Sequence, residues 1–299
     1  MLRGEQDLML AIESECYHRW LAKLSHHASD ASLQERVHTP DAAIKLAPGK
    51  KSVGDIAVIR LSGFITQKPS LFTMLFGGTS AEMLAAEVRA AMAEPSIGAV
   101  ILDVDSPGGS VFGVPEAAAV IRAARGAKPF IAVSNPFMAS AAYYLASQAD
   151  EIVAIPSSIT GSIGVMAVYV DESQMLARMG VSVEEITYGR RKAEESGVHP
   201  LSDEARAAIQ ARVDYFGAMF VADVSKGRRL SVARVKADFG EGGVFNAREA
   251  QAVGMVDRIG TLDEVIGQLA SGQRPAVRAL AESDPVEMAA RAALAGVRL

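Results

Sequence analysis

Ser140 lies among small residues in the segment Met138-Ala139-Ser140-Ala141-Ala142, where a strand pattern gives way to a helix pattern. This layout is typical of a nucleophile elbow, in which small neighbours let the backbone approach a substrate. The positive end of the following helix would lie close to an oxyanion forming on that substrate. Serine is also a common helix N-cap, and spacing alone favours that structural role.

A serine nucleophile needs a base, and the chain offers few candidates. Of the five histidines, only His199 lies beyond residue 38. A lysine that burial keeps neutral is another known solution. Lys192, in Gly189-Arg190-Arg191-Lys192, is the one lysine between Ser140 and the predicted long helix that follows. A basic surface loop is the alternative interpretation of this segment.

A second candidate site is the pair Gly108-Gly109 in Asp105-Ser106-Pro107-Gly108-Gly109-Ser110. Consecutive glycines allow backbone N–H groups to point into a cleft, towards a phosphate or a developing oxyanion. The spacings of the common nucleotide-binding loops are absent. A tight turn from strand to helix is the alternative interpretation.

The elements that would position these residues alternate between strands and helices. Buried strands are predicted over 56–61, 99–104, 129–133 and 151–155, and helices over 79–92, 115–125 and 139–148. The first helix has capping-box spacing from Thr79 to Glu82. Farther on, the pattern predicts a long helix from Ser202, short helices with glycine turns over 230–257, and a last helix over 262–269. Short apolar strands between helices indicate an α/β fold of parallel βαβ units.

The two ends of the chain have different patterns. Apolar residues recur every fourth position from Leu8 to Leu24, which predicts an amphipathic helix. Residues 26–51 have the polar character of a linker, in which His26-His27 is expected to be solvated rather than to bind a metal. We therefore expect an N-terminal helical arm and linker over 1–50 and a folded domain over 51–270. An Ala- and Arg-rich tail over 271–299 would be a surface helix or a disordered extension.

Composition excludes several classes of protein. With 49% hydrophobic and 22% charged residues the chain can bury a large core, so extensive disorder is excluded. A net charge of −5 gives no general attraction to nucleic acid or anionic membranes. The single cysteine, Cys16, excludes intrachain disulfides and cysteine-rich metal sites. No apolar run is long enough to span a membrane, and acidic residues interrupt any N-terminal signal, so we expect a cytoplasmic protein.

Four motifs in order give the chain a family resemblance over roughly residues 53–268. They are DSPGGSV, ASAAYYLASQADEIVAIPSSITGSIGV, GRRK and GGVFNAREAQAVGMVDRIG. Together they resemble signal peptide peptidase A and its relatives. FGGTS at 76–80 and the missing membrane anchor are most similar to the bacteriophage and prophage branch, the head-maturation (capsid) proteases.

The resemblance implies a Clp protease/crotonase-like fold with a Ser–Lys dyad, no metal and no cofactor. Ser140 matches the family nucleophile, and Lys192 matches the general base. The family pattern places the oxyanion hole at the N–H groups of Gly109 and Ala141. Ala141 stands where glycine is commoner but keeps its N–H group.

Two further residues take supporting roles by the same resemblance. Gly108 would shape the glycine turn, and Ser162 would orient the base, Lys192. Because the serine and the lysine come from different domains or subunits in some members of the family, we expect a homo-oligomer with sites shared between subunits.

The function implied by this resemblance is a serine endopeptidase of phage or prophage head maturation. Its substrates would be scaffold, portal or capsid proteins and the chain itself, in the host cytoplasm or the procapsid. One alternative is a cytoplasmic peptidase that degrades signal-peptide remnants. Alternatives of another class are a non-hydrolytic crotonase-like protein that binds an acyl-CoA, and a structural assembly protein. Neither a nucleic acid nor a membrane is an expected partner.

Overall fold

The computed structural model of the chain describes residues 9–12, 44–47, 54–69, 73 and 77–273. The predicted tail after residue 273, His26-His27 and the first residue of the FGGTS motif lie outside these residues, as does most of the predicted N-terminal helix.

A mostly parallel sheet forms the centre of the domain. Its strands are β1 (Met9–Ile12), β2 (Ile44–Ala47), β3 (Asp55–Thr66), β4 (Gly78–Ser80), β5 (Ile97–Ser110), β6 (Phe130–Ala139), β7 (Glu151–Ala154), β8 (Ile159–Gly161), β9 (Met166–Ala167), β10 (Val244–Asn246) and β11 (Arg258–Ile259). Strands β3, β5, β6, β7 and β11 pair in that order, all parallel. The predicted α/β fold of parallel βαβ units is therefore confirmed.

Helices cover both faces of this sheet. They are α1 (Ala81–Ala93), α2 (Val114–Ala124), α3 (Ala141–Ala146), α4 (Ser173–Arg178), α5 (Asp203–Arg228), α6 (Val232–Asp238), α7 (Ala247–Val253) and α8 (Leu262–Ala270). The larger core packs α1, α2, α3 and part of α5 on one face, and a smaller core packs α8 on the other. Within the described part of the chain, no helix is both long enough and apolar enough to cross a bilayer.

Two strands extend beyond their predicted ends because each acquires a further pairing partner. Strand β5 continues to Ser110 since Phe64 and Ile65 of β3 pair with Gly108 and Gly109. Strand β6 continues to Ala139 by pairing with β8. The interpretation of the glycine pair as a turn from strand to helix is therefore wrong, because helix α2 begins only at Val114.

The start of helix α1 is displaced by one residue from its predicted cap. The side chain of Ser80, not Thr79, caps the helix by accepting the backbone N–H of Met83 at 3.3 Å. The Thr79 hydroxyl instead accepts the N–H of Ser62 and donates to its carbonyl oxygen, both at 2.9 Å. Threonine here joins β4 to β3 rather than starting the helix.

The predicted N-terminal helix is wrong at Met9–Ile12, where the structure has strand β1. This strand pairs antiparallel with residues 108–110 of β5 and with Met166–Ala167 of β9. The predicted linker likewise contains β2, which pairs antiparallel with β3. Open strand edges offer these short segments backbone partners that outweigh a weak helical preference. The first 50 residues thus add two strands to the sheet of the domain.

Candidate active site

Ser140 connects strand β6 to helix α3 in a strained backbone conformation. Its φ of 55° and ψ of −121° are unusual for a residue other than glycine. The residue is fully buried, and its Oγ has no hydrogen-bond partner among the described residues. Buried polar atoms nearly always have a partner, so this hydroxyl points to a site that another group completes.

Ser162 lies next to this nucleophile candidate through the backbone of β8. The N–H of Ser140 donates to the carbonyl oxygen of Gly161 at 2.7 Å, and Ser162 follows directly. Ser162 also has a positive φ, 56°, and its N–H donates to the carbonyl oxygen of Gly243 at 2.7 Å. The hydrogen bond from Ser140 to Gly161 therefore brings together two serines with positive φ, since Ser162 follows Gly161 in the chain.

The glycine pair of β5 follows the last residue of this strand that pairs with β6. That residue is Ser106, which pairs with Met138, two positions before Ser140 in the chain. A side chain at Gly109 would place its Cβ only 2.1 Å from the carbonyl oxygen of Ile65, so only glycine fits. The close approach of β3 thus fixes the residue type at this position.

Ser106, which the sequence motif contained without an assigned role, holds this part of the backbone. Its hydroxyl donates to the carbonyl oxygen of Gly63 at 2.6 Å and accepts the N–H of Gly108 at 3.1 Å. Gly108 has a φ of 99°, which glycine adopts without strain. The N–H of Gly108 is thus engaged within β5, whereas the expected donor Gly109 lies between Ile65 of β3 and Ala11 of β1.

Ala141 provides a second candidate donor beside Ser140. It is the first residue of α3, and the first N–H groups of a helix have no acceptor within the helix. A helix of this length carries only a partial charge at its end, so the directed N–H group matters more than the dipole. Ala141 thus follows Ser140 directly, and Gly109 lies three residues beyond the last β5 residue that pairs with β6.

Two tyrosines anchor helix α3 beneath the site. The hydroxyl of Tyr143 donates to the carbonyl oxygen of Met255 at 3.0 Å, and that of Tyr144 donates to Asp223 at 2.7 Å. The ring of Tyr144 also stacks on Phe220 with centroids 4.6 Å apart. Both contacts bind α3 to the C-terminal part of the chain.

Burial and charge pairing shift the two groups of the Tyr144–Asp223 bond in opposite directions. Burial, together with the hydrogen bond to Asp223, raises the pKa of Tyr144. Burial also opposes ionisation of Asp223, but hydrogen bonds from Lys226 and Tyr144 outweigh it and lower the pKa of that carboxyl group. Arg122 adds a further positive charge 3.4 Å from Asp223. The folded state therefore favours the carboxylate form of Asp223.

Lys192 lies in an exposed turn and makes no hydrogen bond to Ser140 within the described chain. Its neighbours are paired with other groups: Arg190 binds both oxygens of Glu204 at 2.9 Å, and Arg191 binds Glu194. A single copy of the chain thus does not bring the predicted nucleophile and base together.

His199 does not supply the missing base either. It is exposed, and its Nε2 lies 3.6 Å from a carboxylate oxygen of Glu185. No hydrogen bond joins it to Ser140 in the part of the chain that the structure describes.

The segment that carries Lys192 has no core of its own. Every residue from 177 to 192 is exposed. The exposed side chains include large apolar ones, with Ile186 at 93% and Tyr188 at 103% of full exposure. Exposed apolar side chains concentrated in one segment mark a surface for association with another protein.

Comparison with known proteins gives one family and several relatives. The model for peptidase family S49 matches residues 122–274, which include Ser140, Ser162 and Lys192. The chain is 32% identical over 204 residues to the capsid assembly protease C of Escherichia phage lambda, covering 68% of this chain and 46% of that protein. It is 31% identical over 218 residues to protease 4 of Salmonella typhi, covering 73% and 34%.

A second phage protein is similar over a comparable length. The head-tail preconnector protein GP5 of Enterobacteria phage P21 is 31% identical over 226 residues, covering 76% of this chain and 45% of that protein. The chain thus spans less than half the length of each of these three relatives. The family match includes more than half of this chain, and the observed α/β sheet agrees with the Clp/crotonase-like fold of that family. The chain belongs to peptidase family S49.

Proposed function

We propose that the chain is a serine endopeptidase in which Ser140 is the nucleophile and Lys192 of a neighbouring subunit is the base. The observation that carries this proposal is the buried hydroxyl of Ser140, which has no hydrogen-bond partner among the described residues although it sits at a strained turn directly before helix α3. Such a hydroxyl is available to a base and to a substrate.

The reaction follows from these positions. Neutral Lys192 removes the hydroxyl proton as Ser140 attacks the scissile carbonyl carbon, and the N–H groups of Gly109 and Ala141 stabilise the oxyanion. Lys192 then gives the proton to the leaving amine. Neutral Lys192 then takes a proton from water as the water attacks the ester, and passes it to the Oγ of Ser140 as the carboxylate product leaves. Ser162, which adjoins Ser140 through Gly161, would orient the incoming lysine.

A second copy of the chain would complete this site. Lysine works as a base only when burial disfavours its charged form. In the single chain Lys192 is exposed, together with the apolar segment around it. Packing of residues 177–192 against a neighbouring subunit would cover the apolar side chains and bury the lysine in one step. A homo-oligomer with shared sites is therefore part of the proposal.

The proposed substrates are proteins of a phage or prophage head, such as scaffold, portal or capsid proteins. Support comes from the similarity to a capsid assembly protease and to a head-tail preconnector protein. The similarity to protease 4 favours a second candidate, a peptidase of signal-peptide remnants or other peptides with the same chemistry. The host cytoplasm or the procapsid is the proposed compartment, which suits a chain with one cysteine.

Complementation between two inactive variants tests the shared site. Ser140→Ala and Lys192→Ala should each lose cleavage of a co-expressed scaffold protein and of a peptide substrate. When the two variants are mixed and reassembled, a site that takes Ser140 from one copy and Lys192 from the other is intact. Random assembly of a ring restores roughly a quarter of the sites, so activity should return to about that fraction.

Lys236→Ala is the matched control, since Lys236 is also exposed and lies on another helix, α6. It should retain full activity. Full activity of the Ser140→Ala or Lys192→Ala variant alone would contradict the dyad. Inactivity of both variants and of every mixture would contradict the shared site. A fluorophosphonate that fails to label Ser140 in the active oligomer would favour a non-hydrolytic protein of the same fold.

A further inference from the structure

The N-terminal strand β1 fills a slot between two strand edges beside Ser140. On one edge Leu10, Ala11 and Ile12 pair antiparallel with Ser110, Gly109 and Gly108. On the other edge Met9 and Leu10 pair antiparallel with Ala167 and Met166 of β9. Leu10 thus has a partner strand on both sides.

Without β1, the ends of β5 and β9 would face each other with unpaired backbone groups. Open edges of this kind take up an extended segment, whose main-chain hydrogen bonds supply the affinity. The gap is one strand wide because Leu10 pairs with both edges. The slot is therefore shaped for a single extended peptide.

The register places this segment next to the end of β6, which Ser140 follows directly. Strand β6 pairs with β5 as far as Met138 opposite Ser106, and two residues farther along β5 Gly108 is opposite Ile12. Gly109, the candidate oxyanion donor, is opposite Ala11. The two peptide bonds of Ile12 thus lie beside Gly108 and Gly109, just beyond the point where β6 stops pairing with β5 and leads into Ser140.

We propose that this segment of the chain is a substrate of its own active site, bound in cis, and is cut at one of the two peptide bonds of Ile12. The inference rests on the proposed function, since it needs Ser140 as nucleophile. The inference adds to that function a substrate, the extended N-terminal segment, and the bond that is cut. This segment occupies the slot until a second copy of the chain completes the site.

The step balances as an ordinary hydrolysis. The Oγ of Ser140 forms an ester with the carbonyl carbon of the cut bond, and the C–N bond breaks. The proton of Ser140 passes through the base to the leaving nitrogen, which becomes the new N-terminus of the chain. Water then cleaves the ester, releasing the N-terminal peptide with a free carboxylate and restoring the Ser140 hydroxyl.

Intact-mass measurement of the full chain tests this proposal. Wild-type protein should lose its N-terminal peptide up to Ala11 or Ile12, and the Ser140→Ala variant should keep it. The Ala11→Pro variant should keep it as well, because proline removes the backbone N–H and disfavours the pairing with Gly109. Ala31→Pro is the matched control in the same N-terminal part of the chain, outside both paired strands, and should be processed as wild type.

Two further outcomes separate this inference from the function on which it rests. If wild-type protein cuts an external peptide but keeps its N-terminus, or is cut at another bond, the inference is overturned and the peptidase remains. If neither is cut, the proposed function itself fails and the inference with it. When Ser140→Ala protein is mixed with wild type, its N-terminus should stay intact; its loss there would show cutting in trans and overturn the cis arrangement.

Discussion

The backbone N–H of Ser140 donates to the carbonyl oxygen of Gly161 at 2.7 Å, and this bond helps hold Ser140 at a φ of 55°. A non-glycine residue in such a conformation costs about 1–3 kcal/mol and persists only where its surroundings determine it. Here the surroundings are the pairing of Ala139 with Gly161 and the bond from the N–H of Tyr144 to the Ser140 carbonyl oxygen at 2.9 Å. The strained turn is thus held by the backbone and not by the serine hydroxyl.

Because the hydroxyl of Ser140 holds nothing, we expect Ser140→Ala to remove activity without destabilising the fold. Peptide cleavage should fall by roughly 10³-fold or more, the range for loss of a catalytic serine. The free energy of unfolding in urea should stay near that of wild type, since an unpartnered buried hydroxyl is lost at no cost in hydrogen bonds.

Ser147→Ala is the matched control for this substitution. Ser147 is equally buried, but its hydroxyl donates to the carbonyl oxygen of Tyr144 at 2.7 Å and accepts from Gln148 at 2.8 Å. Its loss should lower the free energy of unfolding by about 1–3 kcal/mol. Equal destabilisation by the two substitutions would contradict the assignment of a free hydroxyl at Ser140.

A second prediction concerns the close approach of β3 to β5. Gly109→Ala would place a Cβ atom 2.1 Å from the carbonyl oxygen of Ile65, so the strand must shift. We expect loss of most peptide cleavage and destabilisation of about 1–3 kcal/mol, as for overpacking of a tightly packed site. Gly267→Ala, in helix α8 with open space around it, should be neutral or stabilising by up to about 1 kcal/mol. Wild-type activity of Gly109→Ala would exclude Gly109 from the oxyanion hole.

Local sequence patterns predicted the central strands and Ser140 because these depend on neighbours in the chain. The small residues around Ser140 and the change from strand to helix are both local signals. Strand β1 could not be predicted in this way, since four residues carry little pattern and its conformation depends on β5 and β9. Gly161, whose carbonyl oxygen accepts the N–H of Ser140, lies in one of the family motifs. Its role could not be predicted, because every residue type has a backbone carbonyl group.

The separation of Lys192 from Ser140 has a different cause. Family resemblance predicts a site shared between subunits but does not give the contact that brings Lys192 to Ser140. The exposed apolar side chains around Lys192, such as Ile186 and Tyr188, could be noticed as a feature only once the structure showed that no core covers them. The pairing of Lys192 with Ser140 is therefore a prediction for the oligomer.

The third prediction concerns a buried ion pair behind helix α3. Arg228, only 2% exposed, binds both oxygens of Asp257 at 2.7 and 3.0 Å and the carbonyl oxygen of Gly254 at 3.1 Å. Asp257→Ala would leave a buried guanidinium without its carboxylate. We expect the free energy of unfolding to fall by about 3–5 kcal/mol, measured by urea unfolding.

Asp238→Ala is the control for this ion pair, because Asp238 binds Arg234 at 3.1 Å on an exposed surface. Exposed pairs contribute at most about 1 kcal/mol. A similar loss of stability in the two variants would mean that burial does not decide the strength of the Arg228–Asp257 pair.

The last prediction concerns the pH dependence of stability at Asp223. Hydrogen bonds from Lys226 and Tyr144 outweigh burial and lower the pKa of Asp223 in the folded state. A group with a lowered folded pKa stabilises the protein fully above its unfolded pKa, about 3.9 for aspartate, and this stabilisation is lost as the pH falls through the folded value. Wild type should therefore be more stable than Asp223→Asn at pH 7, and the difference should shrink below about pH 4.

Urea unfolding of both proteins between pH 7 and pH 3 measures this difference. Asp214→Asn, on the same helix but exposed, is the control and should follow wild type over the whole range. Asp223 accepts the hydroxyl of Tyr144 and so holds helix α3 in place. The Asp223→Asn variant should therefore lose peptide cleavage at a lower temperature than wild type, at the temperature where it unfolds. If the difference in the free energy of unfolding between wild type and Asp223→Asn stays constant below pH 4, the folded state does not stabilise the carboxylate form of Asp223.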